Sequence, residues 1–166
     1  MTPYVVVDTN VGVVANGRHE NASTRCRLAC VEALEEVLNS RIILVDDLNL
    51  IISEYGNHFS RSGQPGTGDA FFKWLHQNQG NTRHCRFVSI TPTDSTCSNF
   101  TEFPTDQDLG RFDSNDRKFV AVALASGERR DVLNAVDSDW WNFDTELTRN
   151  GVDVLNLCPI MSEGRV

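Results

Sequence analysis

No apolar run in the 166-residue chain approaches the roughly 18 residues that a membrane span needs, so no membrane-spanning segment and no membrane partner is expected. The opening residues Met1 to Tyr4 lack a basic segment and lead straight into valines, which argues against a signal peptide. Positive charge is scarce. Lys and Arg number 15 against 23 Asp and Glu, a formal net charge of −8. That balance excludes a basic nucleic-acid coat, though not an enzyme acting on nucleic acid. Internal repeats and divisive linkers are missing too, and the length suits one domain over residues 1–166. The five Cys and four His never form the two close pairs of a structural zinc site. Cys26, Cys30, Cys85, Cys97 and Cys158 are therefore expected to be reduced thiols of a cytoplasmic protein.

What is present is an alternation of short β-branched runs and helical periodicities. Tyr4–Val7 reads as a buried parallel strand ending at Asp8, followed by a short helix over 10–15 capped by Thr9 or Asn10. A longer helix opens near Ser23 and reaches Leu38. Ile42–Val45 is a second strand ending at Asp46, and 47–58 a helix. Residues 60–68 form a loop, 69–77 a helix and 86–90 a third strand. Residues 91–110, rich in Thr, Ser, Pro and Asp, read as a long surface loop without a core of its own. A helix from Asp113 or Ser114 to Ala125 precedes a fourth strand over 133–136, ending at Asp137. A helix over 139–148 and a strand over 152–157, stopped by Pro159, complete the chain. Strand and helix alternate without a break, which predicts an α/β domain with a largely parallel sheet and right-handed crossovers.

Parallel sheets bind ligands at the carboxyl ends of their strands, and three predicted strands stop at an acid: Asp8, Asp46 and Asp137. Glu54 emerges beside Leu50 and Ile51 on a helix, and Asp116 leads a helix that is apolar almost all round. A buried carboxylate is costly unless it is paired or binds a metal. Taken singly, each has an ordinary reading: Glu54 as a surface acid, Asp116 as a helix-start acid, Asp8 as a turn residue. They converge only if the fold gathers them around one crevice.

Four segments in order carry a resemblance: Val5-Val6-Val7-Asp8-Thr9-Asn10, Ile51-Ile52-Ser53-Glu54-Tyr55, Asn115-Asp116 through Ala125, and Asn134-Ala135-Val136-Asp137-Ser138-Asp139-Trp140-Trp141. Together they resemble the PIN-domain nucleases, including toxin-type members. The resemblance implies a three-layer α/β/α sandwich with a five-stranded, largely parallel sheet in the order 3-2-1-4-5. It implies that Asp8, Glu54, Asp116 and Asp137 are catalytic and hold one or two Mg2+ or Mn2+ ions, with Asp139 as a further ligand or helix cap. Thr9, Asn10 and Asp113 are auxiliary residues on the same basis. The long 60–68 and 91–110 segments depart from shorter family members, so nothing about the substrate side transfers.

An all-oxygen donor set suits Mg2+ or Mn2+, and the implied reaction is metal-assisted hydrolysis of phosphodiester bonds in single-stranded RNA, leaving 5′-phosphate and 3′-hydroxyl ends. Residues 61–90 carry four basic side chains against one acid. Arg61, Lys73, Arg83 and Arg86, with Arg18, Arg25, Arg27 and Arg117, are therefore candidates for contacting the RNA backbone; scattered solvated charges are the alternative. Trp74, Trp140 and Trp141 are base-stacking or core residues. Further expected partners are a protein inhibitor or antitoxin and a second copy of the chain. An inactive or partner-inhibited nucleic-acid-binding protein is the second class of reading. A haloacid-dehalogenase-like enzyme would need Asp where Asn10 stands, and a receiver domain would need a phosphoacceptor strand and a late Lys that the sequence lacks.

Overall fold

The structure, a computed structural model, describes residues 2–158; Met1 and Pro159 lie outside the described residues. Five strands pair in parallel: β1 (Tyr4–Val7), β2 (Ile42–Asp46), β3 (Cys85–Val88), β4 (Arg130–Asn134) and β5 (Val154–Asn156). Their order is β3-β2-β1-β4-β5. Val5, Val6 and Val7 in the central strand are essentially inaccessible. Burying each such side chain stabilises the fold by about 1.5–3 kcal/mol relative to leaving it in water. The register sets Val7 opposite Leu133, so Asp8 emerges beside the chain leaving β4.

Seven helices are described: α1 (Thr9–Ala15), α2 (Thr24–Ser40), α3 (Leu50–His58), α4 (Thr67–Asn78), α5 (Arg117–Ala125), α6 (Ser138–Asn142) and α7 (Asp144–Arg149). Right-handed crossovers put the helices that lead from β1 to β3 on one face and those that lead to β4 and β5 on the other. This is the expected α/β/α sandwich. α1 packs tightly at two glycines: a Cβ on Gly12 would run into the ring of Phe59, just after α3, and one on Gly68 of α4 into the Gly12 carbonyl oxygen.

Several boundaries differ from the sequence reading, each for a local reason. Asp8, rather than Thr9 or Asn10, caps α1, its Oδ1 accepting from the Asn10 N–H at 2.9 Å. Asp46 is fully buried and its carboxylate accepts from the N–H groups of Leu48, Leu50 and Ile51. It is a structural cap that delays α3 to Leu50. Asp69 also caps: it accepts from the Ser60 and Gly66 N–H groups, and α4 opens at Thr67, ahead of the expected start at Asp69. The fourth strand ends at Asn134, not at Asp137, because Ala135 and Val136 turn away to donate to the Asn10 side chain. The helix expected over 139–148 is two, broken at Phe143, whose ring packs on Phe112.

Residues 91–110 do have a core. Phe100, Phe103, Leu109 and the adjoining Phe112 are buried, Pro92 bridges to Phe100, and Gln107–Leu109 forms a 3-10 turn. Isolated aromatics in a polar segment show no periodicity, so the sequence did not reveal their packing. The cysteines are not all the reduced thiols expected. Cys26 and Cys158, 132 residues apart, form a disulfide, and Cys30, Cys85 and Cys97 are free thiols. The pairing joins α2 to the chain just past β5, a proximity that the fold creates and spacing cannot announce.

Candidate functional site

At the carboxyl ends of β1 and β4, Asp8, Asp116 and Asp137 converge. One oxygen from each lies within 4.8 Å of the others. Asp8 and Asp116 are buried at 4% and 8% exposure, while Asp137 opens partly to solvent. Each arrives from a different local device. Asp8 ends the apolar strand β1 and caps α1. Asp116 stands at the head of α5, where its side chain makes no capping bond. Asp137 caps α6, its Oδ1 accepting from the Asp139 N–H at 3.0 Å.

Three polar side chains hold this geometry. Trp140, fully buried, donates its indole N–H to Asp8 Oδ2 at 2.7 Å. Asn10 Oδ1 accepts from the N–H groups of Ala135 and Val136, and its amide donates to Asn134 Oδ1 at 3.0 Å. Asn134 in turn accepts from the Asp137 N–H at 3.2 Å and donates to the Asp137 carbonyl at 3.0 Å. Asn10 and Asn134 thus stitch the end of β1 to the turn carrying Asp137.

Electrostatically the trio is unsatisfied. Burial, reinforced by the Asp8 charge and the adjacent Asp137 carboxyl, pushes the Asp116 carboxyl from its usual 3.8 up to about 10. Asp116 Oδ2 is buried without a hydrogen-bond partner. Burial also raises Asp8, to about 6, against the opposing hydrogen bonds from Asn10 and Trp140 and with the repulsion of Asp137 and Glu54. Carboxylates packed this closely hold protons unless a cation compensates them.

The other expected residues lie around the trio. Glu54 is half-buried on α3 and turned to Lys118: Oε1 accepts from the ammonium at 2.8 Å, and Oε2 accepts from the Thr9 hydroxyl. Asp139 accepts from the Asp113 N–H at 3.0 Å, and Asp113 Oδ1 accepts from the Asn115 N–H at 2.9 Å. These two acids thereby shape the turn that delivers Asp116. Burial, ahead of the repulsion from Asp137 and Asp113, raises the Asp139 carboxyl.

The basic candidates separate. Arg18 donates to the His58 carbonyl at 2.8 Å, and exposed Arg61 lines a shallow cleft with Asn49, Ser53 and His76, so both stand near the C-terminal end of α3. Arg117 is a clamp for the folded 91–110 segment: it donates to Phe112, Gly110 and Asn99 and lies over the Phe103 ring. Arg86 pairs with Glu128 and packs on Tyr4, at the end of the sheet opposite Asp8. Lys73, Arg83, Arg25 and Arg27 are exposed. Trp74 stacks on Phe71.

Two contributors were not singled out from sequence. Lys118 follows Asp116 by two residues, and its ammonium lies between Glu54 and the Asn115 carbonyl. It also lines a polar cleft of about 190 Å³ with Leu50, Thr96, Ser98, Ser114 and Asn115. Asn134 looked like an interior strand residue, and only the topology shows what it braces. No known family model matches the chain, and no curated protein matches it.

Proposed function

We propose that this chain is a divalent-cation-dependent nuclease that hydrolyses single-stranded RNA to 5′-phosphate and 3′-hydroxyl products, and that it belongs with the PIN-domain nucleases it resembles. The observation that carries the reading is the Asp8–Asp116–Asp137 trio, in which Asp116 Oδ2 is buried without a hydrogen-bond partner. The donor set is all oxygen, which fits Mg2+ or Mn2+ and not a soft metal. Asp8, Asp116 and Asp137 would hold the cation, with Glu54 and Asp139 at the margin. Bound there, the cation supplies Lewis-acid polarisation of the phosphodiester and lowers the pKa of water at the site.

The chain's own groups supply the rest. Trp140 and the Asn10 N–H fix the Asp8 carboxylate, and the Asn10–Asn134 pair fixes the Asp137 turn. Lys118 orients Glu54 and offers a cation where the polar cleft meets the acids, a place for a substrate phosphate. The cytoplasm is the compartment such a substrate implies, and there the Cys26–Cys158 disulfide faces a reducing thiol pool. One observation favours the second reading, a nucleic-acid-binding protein held inactive by a partner such as an antitoxin. The Lys118 ion pair occupies Glu54, which stands outside the trio of converging acids.

The test is cleavage of end-labelled single-stranded RNA and DNA with Mg2+ or Mn2+, by wild type, Asp8→Asn and Asp116→Asn. Cation-dependent RNA cleavage by wild type alone is expected. Equal cleavage by the variants, or none by wild type on either substrate, would overturn the catalytic reading. Binding without cleavage would favour the second.

A further inference from the structure

Sulfur gathers at a second place. α2 carries Cys26 and Cys30 four residues apart, a spacing that stacks them on one face of the helix. Both are buried, and Cys158, just beyond β5, lies against that face. Cys26 and Cys158 are joined, while the Cys30 sulfur lies 4.0 Å from that of Cys158. The sulfur atoms of all three fall within 4.8 Å of one another. The carboxylate site makes no use of them.

We propose that Cys26, Cys30 and Cys158 form a thiol–disulfide exchange site, in which Cys30 takes Cys158 over from Cys26 and the end of β5 is latched to either of two consecutive turns of α2. In the step, the Cys30 thiol gives up its proton and its sulfur attacks Cys158 Sγ. The Cys30–Cys158 bond forms as the Cys26–Cys158 bond breaks. The electron pair of the broken bond leaves on Cys26, which takes up a proton. One disulfide and one thiol stand on each side, so neither an oxidant nor a reductant enters. Burial pushes the Cys30 thiol up to about 12. Its thiolate fraction is therefore small, exchange is slow, and each pairing persists once made.

The latch reaches the carboxylates through β5. Asn156 Oδ1 accepts from the Asn134 amide at 2.9 Å, and the Leu157 N–H donates to the Asn134 carbonyl at 2.8 Å. Asn134 is the residue that braces the Asp137 turn. Either disulfide keeps β5 seated. A dithiol reductant, itself oxidised to a disulfide, converts the cluster to three thiols and releases it.

Arg27 lies between Cys26 and Cys30, so tryptic peptides report the two pairings separately. Oxidised wild type, held folded near neutral pH, then acid-quenched, unfolded, alkylated and digested, should show Cys158 linked to both peptides. Cys26→Ser treated with oxidised glutathione should form the Cys30–Cys158 bond, and Cys30→Ser should retain Cys26–Cys158. Amide exchange at Leu157 and Asp137 should be at least ~10-fold faster in Cys158→Ser than in oxidised wild type. A fully alkylated Cys30 in wild type, with no Cys30–Cys158 product in a folded Cys26→Ser, would make Cys30 a bystander and overturn the exchange. Unchanged amide exchange in Cys158→Ser would overturn the latch. If Cys26→Ser does not fold, the wild-type map decides alone. None of these readouts depends on nuclease activity.

Discussion

Replacing Asp116 by Asn should make the cation-free protein more stable at neutral pH, although it removes a proposed ligand. In the folded chain the Asp116 carboxyl is raised from 3.8 to about 10, foremost by burial. Because the folded pKa lies above the unfolded one, the unfolded chain releases this proton near pH 4 while the folded chain retains it. Stability is therefore fully present below about pH 4 and declines as pH rises toward the folded pKa, at about 1.4 kcal/mol per pH unit. Between the unfolded pKa and pH 7 that amounts to roughly 4 kcal/mol as an upper bound. Asp8, raised in the same direction, takes part of the proton load, so a gain of about 2–3 kcal/mol is expected for Asp116→Asn at pH 7. The assay is urea denaturation in EDTA at several pH values. Wild type should lose stability from pH 5 to 7.5, Asp116→Asn should lose much less, and the two should converge near pH 4. Saturating Mn2+ should reverse the ranking. Equal pH slopes, or a variant less stable than wild type in EDTA at pH 7.5, would refute the reasoning.

Trp140→Phe keeps the buried ring and deletes the N–H donated to Asp8. It should cost about 1.5–3 kcal/mol in urea denaturation at pH 7.5 and weaken Mn2+ binding by roughly 10-fold or more in calorimetry. Asn10→Ala leaves the Ala135 and Val136 N–H groups without their acceptor, and a loss of about 2–4 kcal/mol in the same denaturation assay is expected. Gly12→Ala forces a Cβ against the Phe59 ring. Thermal unfolding should show a loss of about 1–3 kcal/mol.

The sheet was legible because its strands are short β-branched runs buried on both faces, and the acids at or near their carboxyl ends were legible because an acid after such a run stands out. Asp8 follows its strand as the pattern indicated, while Asp116, expected inside the first turn of a helix opening at Asp113 or Ser114, stands just before α5. Asp46 carries the same signal, yet the structure uses it as a cap, since three backbone N–H groups converge on its carboxylate. Cap and ligand are indistinguishable in one sequence. Long-range relations were not legible. The Asn10–Asn134 brace, the Trp140–Asp8 bond and the Cys26–Cys158 disulfide each span more than 120 positions, as their residue numbers show. Arg117 read as a substrate contact because its partners, the Phe103 ring and three oxygen atoms of the 91–110 segment and the turn after it, come together only when that segment folds.

The proposed function stands on Asp8, Asp116 and Asp137 making one cation site. Titration of metal-free protein with Mn2+ at pH 7.5, followed by the loss of the free-ion paramagnetic resonance signal, tests it most directly. Wild type should bind one or two ions, and Asp116→Asn should bind at least ~10-fold more weakly. No binding by folded wild type, or equal binding by the variant, would contradict it.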